Sequence, residues 1–280
     1  MSTSILLPPV VMSLNGSDPS GGAGIQADIL TLASLGCHPL SVITAITAQD
    51  SSGVADMLVM DAEWVLDQAR LLLEDMRVAA FKVGLIGSIE NVAAITELVS
   101  DYPDVPLILD PELANAGGHD FADEELLEAL RDLLLPQVTV LTPSSLEVRR
   151  LASNDPDEED SLELSDAARR LTALGCEYVL VTGAHENTRL VTNTLYHGSS
   201  VVRADHWERL PTGYHGAGGT LAAAIAGMLA SGAQVPEAVR EAQEYTWQTL
   251  KHAFRPGMGQ HIPDRLFWAR GGVDEDEQPT

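Results

Sequence analysis

Two glycine-rich stretches carry the residues of this chain best placed for chemistry. Near the front, "NGSDPSGGAGIQAD" sets Asn15, Gly16 and Asp18 just ahead of Gly21, Gly22 and Gly24. Near the back, "HGAGGTLAAA" puts Gly216, Ala217, Gly218 and Gly219 at the mouth of a small-residue apolar segment with almost no reactive side chain. A helix N-terminus leaves its first backbone N–H groups unpaired and carries roughly half a positive charge, so it can hold an anion without a basic side chain. Small residues let a phosphate come close to those amides. The alternative reading of the rear stretch is a loose turn ahead of a tightly packed helix. The front stretch lacks the Lys-Ser/Thr ending of a P-loop and the spacing of a dinucleotide fingerprint.

The elements around these stretches alternate. Short apolar runs such as "VVMSLN", "LSVITAITAQ", "AAFKVGLI", "VPLILD", "VTVLT" and "YVLVTG" read as buried strands. Between them, "GIQADILTLASLG", "DAEWVLDQARLLLEDM", "SIENVAAITELVSDY", "DEELLEALRDLLL", "SSLEVRRLA" and "SLELSDAARRLTALG" have helical periodicity. Continuous apolar strands separated by helices predict an α/β fold with a central, mainly parallel sheet and helices on both faces. Such a sheet binds ligands at the carboxyl ends of its strands, where Asn15 and Asp18 fall. Asp61 and Ser161 are expected helix caps. "RLVTNTLYHGSSVVRADHWERL" alternates around a Gly-Ser turn and predicts antiparallel additions at one sheet edge. The last two helices are expected over "GTLAAAIAGMLASG" and "PEAVREAQEYTWQTLKHAF", the latter opened by Pro236. One domain over residues 1–270 is expected, with 271–280 a disordered acidic tail and "SNDPDEED" a solvated acidic loop.

Composition narrows the partners. With 16 Lys plus Arg against 41 Asp plus Glu, the formal charge of -25 repels polyanions and argues against nucleic acid. The acidity suits either hydration in a salty cytoplasm or a plain solvated surface. The two cysteines, Cys37 and Cys176, have no paired spacing and are expected to be buried thiols. The N-terminus has no basic flank and is interrupted by Pro8 and Pro9, unlike a signal peptide, and no apolar run reaches the ~18 residues of a membrane span. A cytoplasmic protein without a membrane partner is expected.

The motifs "GSDPSGGAGIQADI", "SVITAITAQD", "FKVGLIGS", "LDPEL", "LTPSSLEV", "LVTGAH" and "YHGAGGTLAAAIA" follow one another across about residues 10 to 260. Together they resemble the hydroxymethylpyrimidine and phosphomethylpyrimidine kinases of thiamine biosynthesis, within the ribokinase-like superfamily. The resemblance implies a ribokinase-like fold, a homodimer, and ATP- and Mg²⁺-dependent phosphorylation. The acceptors it implies are the hydroxymethyl group of a 4-amino-2-methylpyrimidine and then its monophosphate. By motif, Asp18 and Gln49 would meet the pyrimidine, with Asn15 and Gly16 in the pocket wall. Asp110 and Glu147 would lie near the metal, and Ser144, Thr182, Gly183 and His185 near the nucleotide. The same superfamily contains pyridoxal kinases, and a non-catalytic pyrimidine binder is a further alternative.

Four positions depart from the family pattern. Gly219 stands where "GTGC" or "GAGD" ends in a Cys or Asp base, Ser144 replaces Asn, Thr182 replaces Lys, and Glu112 replaces the Val of "DPV". Glu112 is the best substitute base visible in the sequence; its alternative is a solvated acid beside "ANAGGHD". His215 could shuttle a proton or be structural. A positioned base contributes roughly 10²- to 10⁴-fold, and only the alcohol acceptor must lose a proton of high pKa, because a monophosphate is already ionised. Phosphorylation of the monophosphate is therefore expected to survive the loss at position 219 better, with Gly219→Cys raising the alcohol rate selectively.

Overall fold

The computed structural model describes residues 7–114, 120–153, 155–159 and 161–270. The expected acidic tail 271–280 and part of the "ANAGGHD" loop lie outside the described residues. The strands are β1 (Val10–Ser17), β2 (His38–Gln49), β3 (Val54–Val59), β4 (Ala80–Val83), β5 (Leu107–Leu109), β6 (Val140–Leu141), β7 (Tyr178–Val181), β8 (Leu190–His197) and β9 (Ser200–Glu208). They form one sheet in the order β3-β2-β1-β4-β5-β6-β7-β8-β9. The run from β2 to β7 is parallel, and β3, β8 and β9 are antiparallel additions at the two edges.

The α-helices are α1 (Gly24–Ser34), α2 (Ala62–Asp75), α3 (Ile89–Ser100), α4 (Glu124–Ala129), α5 (Ser145–Ala152), α6 (Pro156–Glu159), α7 (Leu164–Ala173), α8 (Ala217–Ala230) and α9 (Val235–Lys251). One core joins the sheet to α2, α3, α4, α5 and α7 through Val65, Ile95, Leu127, Val148 and Leu171. The other joins it to α1, α8 and α9 through Leu32, Ala222–Ala226, Val239 and Ala242. Helix α8 is buried over Gly219–Gly227, as expected of a helix apolar all round whose small side chains allow close packing. Asp61 caps α2 by accepting from the Glu63 amide, as expected. Ser161 does not cap α7: its hydroxyl donates to the Glu158 carbonyl, and the N-cap is Glu163, without a side-chain bond. The cause is local, since the acidic segment forms the one-turn α6 rather than a plain loop and draws Ser161 back to it.

Strand alternation decides where the polar groups go. Successive side chains point to opposite faces, so Val11, Ala80, Ile108 and Val140 join the core under α1 and α8, while Met12, Phe81, Leu109 and Leu141 join the other. Continuing the same alternation puts Ser13 and Asn15 of β1, Lys82 of β4 and Asp110 beyond β5 on the α1/α8 face. The chain leaves β1 for β2 on one side and later reaches β4 on the other. That reversal opens a crevice at the carboxyl ends, the place where open sheets bind ligands.

Candidate active site

At this crevice the two glycine-rich stretches meet. Gly216 caps α8 with φ 87, a left-handed conformation that favours glycine. A Cβ on it would run into the Gly22 carbonyl, and one on Gly22 into the His215 ring. No side chain caps α8, so the first-turn N–H groups of Ala217, Gly218 and Gly219 have neither a cap nor a preceding helical carbonyl. All four nest residues line a cavity of about 590 Å³, with Gly218 exposed to it and Gly219 buried. The nest is therefore open rather than a closed turn.

The front turn is built on Asp18. Its carboxylate accepts from the Ser20 amide (2.7 Å), the Ser20 hydroxyl (2.9 Å) and the Ala23 amide (2.7 Å), and pairs with His215 Nε2 at 2.8 Å. Burial pushes the acid up, but the bonds from His215, Ala23 and Ser20 outweigh it and hold Asp18 at about 2. Asp18 thus joins the front turn to the residue just before the nest. Asn15 is fully buried: its Oδ1 accepts from the Gly16 and Leu85 amides, and its Nδ2 donates to Asp28. Asn15, Gly16, Asp18 and Gln49 all line the cavity, together with Thr47 and Leu85.

Under the nest lies a buried charge cluster that the sequence reading missed in part. Asp28 Oδ2 accepts from Ser13 Oγ at 2.6 Å and Asn15 Nδ2 at 2.8 Å, and stands 3.0 Å from Lys82 Nζ. Lys82 and Asp28 are both fully buried, and Glu112 Oε1 lies 4.0 Å from the same ammonium. Burial pushes the Lys82 ammonium down, yet the carboxylates of Asp28, Glu112 and Asp110 more than reverse this and raise it. A lone lysine inside the otherwise apolar run "AAFKVGLI" was the available signal. Asp28 had none, because its partners lie on β1 and β4.

Position 219 sits over this cluster. A Cβ there would stand 3.8 Å from Glu112 Oε1 and 3.9 Å from both Asp110 Oδ2 and Asp28 Oδ1, ordinary contact distances. Asp28 Oδ1 and Asp110 Oδ2, the two oxygens concerned, accept no hydrogen bond. Glu112 has φ 40, the sole positive φ outside glycine among the described residues, and its side chain is 24% exposed. Burial, opposed by Lys82 and reinforced by Asp28 and Glu147, brings its carboxyl to about 7. Burial with Glu112, Glu147 and Asp28 nearby also pushes Asp110 well above the usual carboxylate range, against the pull of Lys82.

A hard cation fits this donor set: Asp110 Oδ2 is a buried, unpartnered oxygen beside the nest, 3.6 Å from where a Cβ on Gly218 would stand. Among the described residues no three acidic, His or Cys side chains are grouped to hold a metal alone. An ion at Asp110 would therefore take most of its coordination from phosphate and water, as Mg²⁺ commonly does. Glu147 Oε2 accepts from the Ser144 amide and Oε1 from the Leu113 amide, and Ser144 Oγ accepts from the Glu147 amide in a capping box for α5. Ser144 therefore has a structural task in addition to lining the cavity.

The far end of the cavity is formed by Thr182, His185, Val191, Leu210, Trp247 and Leu250. His185 is exposed. Gly183 is buried, its amide donates to Asn193 Oδ1, and a Cβ there would strike the Thr192 carbonyl. Gln243 Oε1 accepts from both Asn193 Nδ2 and Trp207 Nε1, fixing a mainly apolar wall suited to a flat ring. Trp207, Gln243 and Trp247 carried no recognisable motif.

Known proteins resemble this chain over most of its length. The family model described as phosphomethylpyrimidine kinase matches residues 18–264. A hydroxymethylpyrimidine/phosphomethylpyrimidine kinase of Streptomyces coelicolor is 39% identical over 268 residues, covering 94% of this chain and 96% of that one. Among solved structures, a Bacillus subtilis pyridoxal kinase in complex with ADP superposes with a TM-score of 0.82 at 27% identity, covering 94% and 99% of the two chains. A phosphomethylpyrimidine kinase of Clostridium difficile superposes with a TM-score of 0.72 at 28% identity, covering 87% and 99%. With its fold and nearly its whole length matched, the chain belongs to the phosphomethylpyrimidine kinase family.

Proposed function

We propose that this chain transfers the terminal phosphoryl group of ATP to 4-amino-5-hydroxymethyl-2-methylpyrimidine phosphate, and more slowly to the free alcohol, in thiamine biosynthesis. The observation that carries this reading is the open amide nest of Gly216–Gly219, facing one cavity with the front turn and the acids below. The migrating phosphoryl group has mostly charge and alignment to be supplied, and oriented backbone N–H groups supply both. Asp18 and Gln49 would meet the pyrimidine, with Asn15 and Gly16 in the pocket wall. Ser144, Thr182 and His185 would border the nucleotide, with its base against the Trp247 wall; the expected contact from Gly183 is not made, because that residue is buried behind the cavity wall with its amide bonded to Asn193. Mg²⁺ at Asp110, with Glu147 behind it, would neutralise phosphate charge.

Glu112 takes over the proton from an alcohol acceptor. Its Oε1 is within contact distance of the space that a side chain at position 219 would fill, and Lys82 beside it stabilises the ionised form. A monophosphate acceptor makes no such demand, which is the basis of the expected preference. The chain works as a homodimer in the cytoplasm, a state that sedimentation at micromolar concentration would check.

A coupled ATP-consumption assay with the monophosphate, the alcohol and pyridoxal tests the reading. Turnover with the monophosphate above that with the alcohol supports it; turnover with pyridoxal alone makes the chain a pyridoxal kinase, and none with any of the three makes it a non-catalytic binder. The likeness to the pyridoxal kinase of Bacillus subtilis favours pyridoxal as the second acceptor to try.

A further inference from the structure

Arg265 is the most thoroughly enclosed cation that the reaction scheme above leaves unused. It is 3% exposed, and none of the ion pairs among the described residues includes it. Its Nη2 donates to the Gly22 carbonyl at 2.6 Å and to the Gly216 carbonyl at 3.4 Å, and its Nε donates to Thr220 Oγ1 at 3.0 Å. Thr220 Oγ1 in turn donates to the Gly216 carbonyl at 2.7 Å. One guanidinium thus touches the front turn, the cap of α8 and the first turn of that helix.

We infer that Arg265 is a positioning residue for phosphoryl transfer, locking the amide nest of α8 against the front turn so that donor and acceptor sites keep one relative placement. The inference rests on the kinase reading above. A segment just before Arg265 delivers it. The Gly259 amide donates to Ser51 Oγ and the Gln260 amide to the Ser51 carbonyl, fastening the segment to the β2–β3 tip. The His261 amide donates to the Gly213 carbonyl and the His215 amide to the His261 carbonyl, fastening it to the approach to the nest. Tyr245 Oη donates to the Arg265 carbonyl and the Asp264 amide to the Thr249 carbonyl, so α9 holds the base of the side chain.

The energetics argue for more than packing. Burying a charge without an opposite charge in contact is costly, and the hydrogen bonds it donates to three acceptors only partly offset that cost. Burial pushes the guanidinium down, against Tyr245, Asp28 and Asp18, to about 10. A cation beside a helix N-terminus also opposes the helix dipole, a cost that an anion held by the same amides would offset. The rigid fork of arginine can hold two carbonyls at once; a lysine cannot reproduce that geometry.

The test compares wild type with Arg265→Met, Arg265→Lys, Thr220→Val and the Arg265→Met/Thr220→Val double variant, assayed well below each variant's Tm. Displacing reacting groups by about 1 Å costs about 10²-fold, so Arg265→Met and Arg265→Lys are each expected to lower kcat about 10- to 100-fold with both pyrimidine acceptors, the KM for ATP changing less than about threefold. Thr220→Val is expected to lower kcat less, and the double variant no further than Arg265→Met alone. An unchanged kcat per folded molecule in Arg265→Met, full activity in Arg265→Lys, or losses that multiply in the double variant would each overturn the inference. Should Arg265→Met not fold, an unchanged kcat in Thr220→Val overturns it. A wild type inactive with both pyrimidines overturns the kinase reading as well, whereas an active wild type with an indifferent Arg265→Met overturns this inference alone.

Discussion

Replacing Glu112 by Gln removes a carboxylate from beneath the nest while keeping its shape and its backbone. Lys82 remains paired with Asp28 at 3.0 Å, so the buried ammonium is not orphaned and the fold is expected to stand. A general base contributes about 10²- to 10⁴-fold, or roughly 3 to 5 kcal/mol of barrier at 1.36 kcal/mol per decade. The loss should therefore be at least about 100-fold in kcat with the alcohol and under about tenfold with the monophosphate, whose oxygens are already ionised. Gly219→Cys sharpens the contrast. Its Cβ fits, but the thiol would enter a space bordered by oxygens of Glu112, Asp110 and Asp28. Like charges disfavour a thiolate there, so the single change should give little of the alcohol-selective rescue expected from sequence. Glu112→Val/Gly219→Cys should recover more. Steady-state kinetics with each acceptor and purified variants decide the matter. Equal losses for the two acceptors in Glu112→Gln, or no loss for the alcohol, would refute the reasoning.

Lys82→Met leaves Asp28, Asp110 and Glu112 facing one another without a cation, and breaking a buried pair in this way costs about 3–5 kcal/mol, to be read as a lowered urea midpoint. Asp18 is depressed in the folded chain to about 2 from 3.8, so its stabilisation is present above about pH 4 and lost as pH falls towards 2. Asp18→Asn should flatten the fall of Tm in that window relative to wild type. Gly216→Ala forces a left-handed residue against the Gly22 carbonyl, costing at least about 1–2 kcal/mol and collapsing turnover with both acceptors alike.

The parallel core was legible because its strands are continuous apolar runs that only a sheet covered on both faces can bury. Strand β3 was not, since "VADMLV" is short and largely exposed at an edge, with little apolar periodicity to announce it. The two glycine stretches were visible, and so was Glu112 as a departure from the family pattern. Their apposition was not: it depends on Asp18 meeting His215 across 197 positions and on Arg265 reaching Gly22 across 243. Ser144 illustrates the same limit. Expected near the nucleotide in place of the family's Asn, it is also half of a capping box with Glu147, a task that local sequence could have suggested through its Ser-x-x-Glu spacing.

A crystal structure with a non-hydrolysable ATP analogue and the free aminopyrimidine alcohol bound together tests the central claim most directly. The terminal phosphate is expected on the N–H groups of Ala217, Gly218 and Gly219, with the acceptor oxygen within hydrogen-bonding distance of Glu112. A terminal phosphate lying away from the α8 N-terminus, or an acceptor oxygen out of reach of Glu112, would contradict it.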